Sequence, residues 1–286
     1  MKLRYSLVAL SLITAPSWAV NNWFLEQTSL TNAHQFLLEG NLEESFDAMI
    51  QTWQKEPEAP IRSHLDQLLL KALDKDCGRS FDNSKLPKWL DKLAIQRQAI
   101  QSPGRLSYRL KIDAQSDVEL KQITFTKWPD QVVMSNVNTP EKIDNQHWKY
   151  SQRVDLNAQL DTGLYKIRIS TEQGKEWESW ILLAHPNHKQ TVRWSSKEEW
   201  VVDKTALLNR FCPLPVMDVA LYGNVDGDYK EVWNKEYESD YPTQVPETKL
   251  PADRYLLGVS IIHKRWQGAI TIEDKQILNK AFDISE

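Results

Sequence analysis

From Leu30 to Gln54 apolar residues recur at helical spacing, interrupted once by Gly40-Asn41. Glycine ends a helix readily and the following asparagine can start the next, so the pattern predicts two short helices joined by a tight turn. Ile61, Leu65, Leu68, Leu69 and Ala72 give a third apolar face, over Ile61 to Leu73. Leu86 to Ile100, with Pro87 near its start, reads as a fourth helix. At Ser102-Pro103-Gly104 the period changes to two. Leu106, Tyr108, Leu110 and Ile112 then share one face of a strand, and Val118 to Thr126, Trp148 to Leu156, Leu164 to Ser170 and Trp177 to Ala184 follow as further strands.

Two later segments echo earlier ones. Leu160 to Ser170 aligns with Leu250 to Ser260, and Asp117 to Leu120 with Asp218 to Leu221. The same order of short strands twice over predicts two related β modules, with convergence as the competing explanation. The expected fold is therefore α+β and multi-domain. A small helical bundle over residues 20–101 precedes a first antiparallel, immunoglobulin-like β-sandwich over 104–190. A connector and a second sandwich occupy 191–286.

The first residues change the picture of where the chain works. Lys2 and Arg4 precede an apolar stretch from Tyr5 to Ala15, Pro16 breaks it, and Ser17-Trp18-Ala19 offers small residues where a signal peptidase reads. Residues 1–19 are expected to be a signal peptide cleaved between Ala19 and Val20, its apolar core being too short to span a bilayer. No later stretch has the length of a membrane span, and the mature chain is expected in the periplasm or outside the cell. Of 35 basic residues the signal removes two, and of 39 acidic ones none, leaving a net charge of −6. That balance argues against nucleic acid and against an anionic membrane surface. Nine glycines and no phosphate-cradling glycine motif argue against nucleotide chemistry. No cofactor is expected. In an oxidising compartment, Cys77 and Cys212 are expected to form one disulfide.

The segment Ala33-His34-Gln35-Phe36-Leu37-Leu38-Glu39-Gly40-Asn41-Leu42-Glu43-Glu44-Ser45-Phe46, ending in Trp53 and Pro57, resembles one tetratricopeptide-type hairpin. An ordinary helical hairpin fits it as well. That resemblance implies a peptide or protein partner. The signal, helical start and paired β segments together resemble an uncharacterised family of secreted proteins from vibrio-type bacteria. That second resemblance implies an accessory role in envelope sensing or maintenance.

Candidate chemistry is sparse. His185 and His188, either side of Pro186-Asn187, are the best metal candidates, although such loops are usually just solvated. Asn224-Val225-Asp226-Gly227-Asp228 reads as a hairpin turn, with calcium the lesser alternative. Glu176, Glu178, Glu198 and Glu199 could serve a glycosidase only if two met across a cleft. The chain holds 12 tryptophans. Most should be core, with Trp128, Trp177, Trp233 and Trp266 the candidates for a binding surface. The favoured function is a non-enzymatic periplasmic binding protein with an envelope protein or peptidoglycan as partner. The alternatives are a cell-wall hydrolase with its site on sandwich loops and an assembly chaperone. The sequence leaves the oligomeric state open.

Overall fold

The computed structural model describes residues 28–82, 85–136, 139–143, 147–186 and 189–284. The expected signal peptide and its cleavage site lie outside them, as does His188. Three helices open the described chain: α1 (Ser29–Glu39), α2 (Leu42–Gln54) and α3 (Ala59–Asp76). Thr28 caps α1 by exchanging hydrogen bonds with Thr31, and Gly40 ends it in the left-handed region at φ 82°. Ser45 is buried against Ala33, and its hydroxyl donates to the Ala33 carbonyl at 2.7 Å.

Fourteen strands follow, and they overturn the expected fold. Residues 90–100, expected as part of a fourth helix over Leu86 to Ile100, lie instead in strand β1 (Leu90–Ser102). It pairs antiparallel with β2 (Arg105–Ser116). Pro103-Gly104 is the turn between them, with Gly104 at φ +72° as a type II turn requires, and not a domain boundary. The N-terminal region is thus not a helical bundle. Its helices lie on a sheet, and its last stretch is a central strand.

Nor do the β regions form two immunoglobulin-like sandwiches. The last strand, β14 (Ile270–Ile284), runs parallel to β1, with Ala94 opposite Thr271 and Gln101 opposite Leu278. That pairing fuses the two halves into one curled sheet of eight strands. Its order is β12 (Asp228–Tyr237), β11 (Val216–Val225), β13 (Asp253–Gln267), β14, β1, β2, β6 (Trp148–Leu156) and β5 (Glu141–Lys142). A four-stranded sheet, β4 (Gln131–Asn136), β3 (Leu120–Lys127), β7 (Gly163–Thr171) and β8 (Glu176–Leu183), covers one half of its inner face. The hairpin β9 (Gln190–Trp194) and β10 (Trp200–Lys204) covers the other.

Two apolar cores result. Leu93, Ile95, Leu110, Ile112, Ile270 and Ile272 of the large sheet meet Ile123, Phe125, Ile167 and Ile181 of the small one. Val219, Leu221, Leu257, Val259 and Leu278 meet Val192 and Trp200 of the hairpin. A third cluster, with Phe46, Trp53, Leu65 and Leu69, seats the helices on Leu164 and Leu182, on the outer side of the small sheet. Cys77 and Cys212 are joined in a disulfide, with Cα atoms 5.2 Å apart, tying the end of α3 to the connector between β10 and β11. No described helix is long and apolar enough to cross a membrane.

Candidate functional site

Inward positions of the large sheet should be apolar, because they face a core. In β13 they run Tyr255, Leu257, Val259 and Ile261, and then His263 and Arg265. In β14 they run Ile270 and Ile272, then Asp274 and Gln276, then Leu278. In β1 they run Leu93 and Ile95, then Arg97. Register aligns these exceptions. His263 is opposite Asp274, and Asp274 is opposite Arg97. The three form one polar row across three neighbouring strands, at the seam between the two apolar cores.

The row is tightly bonded. Arg97 holds Asp274 with both forks, Nε to Oδ1 at 2.6 Å and Nη2 to Oδ2 at 2.9 Å, and donates its Nη1 to the Ala184 carbonyl at 2.8 Å. A bidentate pair of this kind fixes geometry as well as contributing energy. Arg265 donates Nη2 to the Leu182 carbonyl at 2.7 Å and Nη1 to the Trp266 carbonyl at 3.4 Å. Burial, reinforced by the like charge of Arg97 and partly offset by Asp274, pushes the Arg265 pKa down to about 10. Over the row lies a cavity of about 180 Å³. Leu70, Leu73 and Asp74 of α3 roof one side, and Leu208, Cys212 and Pro215 of the connector roof the other. Asn209 pins the connector to α3 by donating to the Leu73 carbonyl at 2.9 Å.

The opposite face of the same sheet carries a second feature. The outward residues of β11, β13, β14, β1, β2 and β6 line an open trough of about 890 Å³. Its charges are unevenly distributed. Asp218, Glu231 and Glu236 stand at the β11–β12 end, and Arg109, Lys111, Lys149 and Arg153 outnumber Asp113 and Glu141 at the β2–β6 end, where Lys111 meets Asp113 at 2.8 Å and Lys149 meets Glu141 at 3.4 Å. Between them Lys275 meets Asp218 at 3.0 Å, Lys264 meets Glu273 at 3.5 Å, and Gln96 donates to Glu273 at 2.6 Å. Gly258 leaves room for the Tyr222 ring, which would lie 3.3 Å from a Cβ there. Burial, then the nearby Glu231 and Asp218, push the Tyr222 phenol up to about 12.

The residues singled out from sequence sit elsewhere. Trp128 donates its indole N–H to the Gln54 carbonyl at 3.2 Å and packs edge-on against Trp180, filling the joint between helices and small sheet. Trp177 donates to the Lys85 carbonyl at 3.0 Å and packs on the main core. Trp233 packs on the hairpin core. Trp266 lies under the Arg79 guanidinium, 3.6 Å from its centroid. All four are half-buried, and none lines the cavity or the trough. His185 stands exposed at the cavity rim, where its main-chain N–H donates to Asp66 at 2.9 Å. Among the described residues no group of three or more His, Cys, Asp or Glu side chains is placed to hold a metal ion. The 224–228 segment is the β11–β12 turn, with Asp226 and Gly227 at positive φ and the Asn224 side chain accepting from Gly227 N–H at 2.9 Å. No spacing motif in the sequence marks the polar row. Its signal is a phase error: charged residues where the period-two pattern of β13 and β14 calls for apolar ones.

A family model described as a protein of unknown function, DUF2861, matches residues 23–283. No curated protein matches the chain.

Proposed function

The chain belongs to the DUF2861 family of proteins of unknown function, and on that footing we propose that it is a non-enzymatic binding protein of the bacterial cell envelope whose trough docks a protein partner. The observation that carries this reading is the uneven charge of the trough, acidic at the β11–β12 end and net basic at the β2–β6 end. From β11 to β2 is four strand steps, roughly 19 Å across the sheet at about 4.8 Å per step. A partner presenting basic groups at one end and acidic groups at the other would be steered and oriented by that field. The outer strand of the sheet, β12, is exposed apart from the half-buried Trp233 and Tyr237 and adds an edge on which an extended segment could pair. The disulfide fits a protein that folds outside the cytoplasm. Cleavage between Ala19 and Val20, residence in the periplasm and an accessory role in envelope sensing complete the proposal.

The test is capture from envelope extract by the mature, disulfide-bonded chain, run beside binding to purified peptidoglycan. One discrete protein should be retained at low salt and lost by the double variant Lys111→Glu, Arg153→Glu, while Lys85→Glu, remote from the trough, retains it. Sedimentation with peptidoglycan instead, or capture indifferent to the trough variants, would overturn the reading.

A further inference from the structure

Beneath the roof of α3 and the connector, the charges do not balance. Asp274 is gripped on both oxygens by Arg97. Arg265 donates to main-chain carbonyls, and the carboxylate whose charge reaches it, Asp274, is already held on both oxygens by Arg97. Lys189 also lines the cavity, as does Asp74, while the Lys264 ammonium is engaged by Glu273 on the trough face. A cation taken out of water without an anion of its own is costly, and proteins meet that cost by pairing it. The guanidinium carries five N–H donors in a rigid fork. Two carbonyls do not exhaust them, and what remains matches the paired oxygens of a carboxylate or phosphate.

From this juxtaposition we infer that the cavity is a binding site for a small oxyanion, held by Arg265 and assisted at the rim by Lys189. Its 180 Å³ has room for inorganic phosphate or a short carboxylate. The connector wall carries Cys212, so the disulfide to Cys77 holds the site's roof in place. The site lies on the face of the sheet opposite the trough and stands or falls separately from it.

Titration calorimetry of the disulfide-bonded chain at low ionic strength, with inorganic phosphate in one arm and succinate in the other, decides the matter. The wild type should bind at least one probe. Phosphate alone identifies a phosphate site, succinate alone a carboxylate site, and both a general oxyanion site. Arg265→Gln should weaken binding by roughly tenfold or more, as expected for loss of a charged hydrogen bond. Lys189→Gln should weaken it several-fold, and Lys85→Gln, remote from both the cavity and the trough, should leave it unchanged. No binding of either probe to the wild type up to about 10 mM, or wild-type binding by Arg265→Gln, overturns the inference. If Arg265→Gln fails to fold, Lys189→Gln decides: unchanged binding there overturns it equally.

Discussion

Gln276 of β14 and Val192 of β9 hold each other by two hydrogen bonds: Val192 N–H donates to Oε1 at 3.0 Å, and Nε2 donates to the Val192 carbonyl at 2.8 Å. The side-chain amide stands in for a neighbouring strand. Gln267, at the end of β13, does the same for the edge of β8, accepting from Leu182 N–H at 3.0 Å and donating to the Trp180 carbonyl at 2.5 Å. Both covering layers are thus fastened to the large sheet by glutamines at inward positions, beside the polar row.

Replacing Gln276 by Leu keeps the volume but strands a main-chain donor and acceptor. The expected cost is about 2–3 kcal/mol, read as a lower urea midpoint with unchanged slope. A loss below the error of the unfolding curve would show that solvent reaches Val192 and that the fastening is incidental.

How much of this was legible follows from where each pattern's partners lie. The helices α1 to α3 and the strands β2 and β6 emerge from local periodicity, because each buries one face against one layer; β7 and β8 emerge too, although Leu164 and Leu182 bury their outer side under the helices. Strand β1 does not. Leu86, Trp89, Leu90 and Leu93 happen to fall at helical spacing, and the decisive contact is the parallel pairing with β14, from the far end of the chain. The echo between residues 160–170 and 250–260 has a concrete counterpart: Tyr165 donates to the Asp161 carbonyl at 2.8 Å and Tyr255 to the Pro251 carbonyl at 2.9 Å, each four residues back. That shared turn does not delimit two sandwiches, since β14, paired with β13 along its whole length, also pairs with β1. No motif spacing links His263 to its row partners, Asp274 and Arg97, which only sheet register brings beside it.

The row itself invites a double-mutant cycle. Asp274→Asn leaves Arg97 and Arg265 as neighbouring buried cations, and should destabilise by about 3–5 kcal/mol. Arg97→Met combined with Asp274→Leu removes the pair together and should cost far less than the sum of the single changes. Additive losses would mean that the two side chains act independently, contrary to their bidentate geometry.

Reduction of the disulfide reaches further. Cys77 and Cys212 are 135 residues apart, and the chain-entropy relation assigns a link of that span about 5 kcal/mol. Denaturant unfolding of Cys77→Ser, Cys212→Ser beside the oxidised wild type should show a loss of that order. An unchanged midpoint would remove the bond from any role in stability.

His34 on α1 and His64 on α3 bring their Nε2 atoms to 2.5 Å. Burial, then His64 and Lys71, hold the His34 imidazole below its ordinary pKa. A histidine whose folded pKa is depressed binds protons less readily folded than unfolded. Its contribution is therefore intact above the unfolded value of about 6.5 and declines as pH falls through it. The unfolding midpoint should drop between about pH 7.5 and pH 5.5, and by less in His34→Gln. An equal drop in that variant would place the pH sensitivity elsewhere.

The trough reading is tested most directly by photo-crosslinking in the native envelope. A photoreactive residue placed at Ser151, exposed in the trough, should yield one discrete protein adduct that weakens as salt rises. The same residue at Gln122, on the outer face of the small sheet, should yield none. An adduct at Gln122 with none at Ser151 would contradict the docking face proposed for this chain.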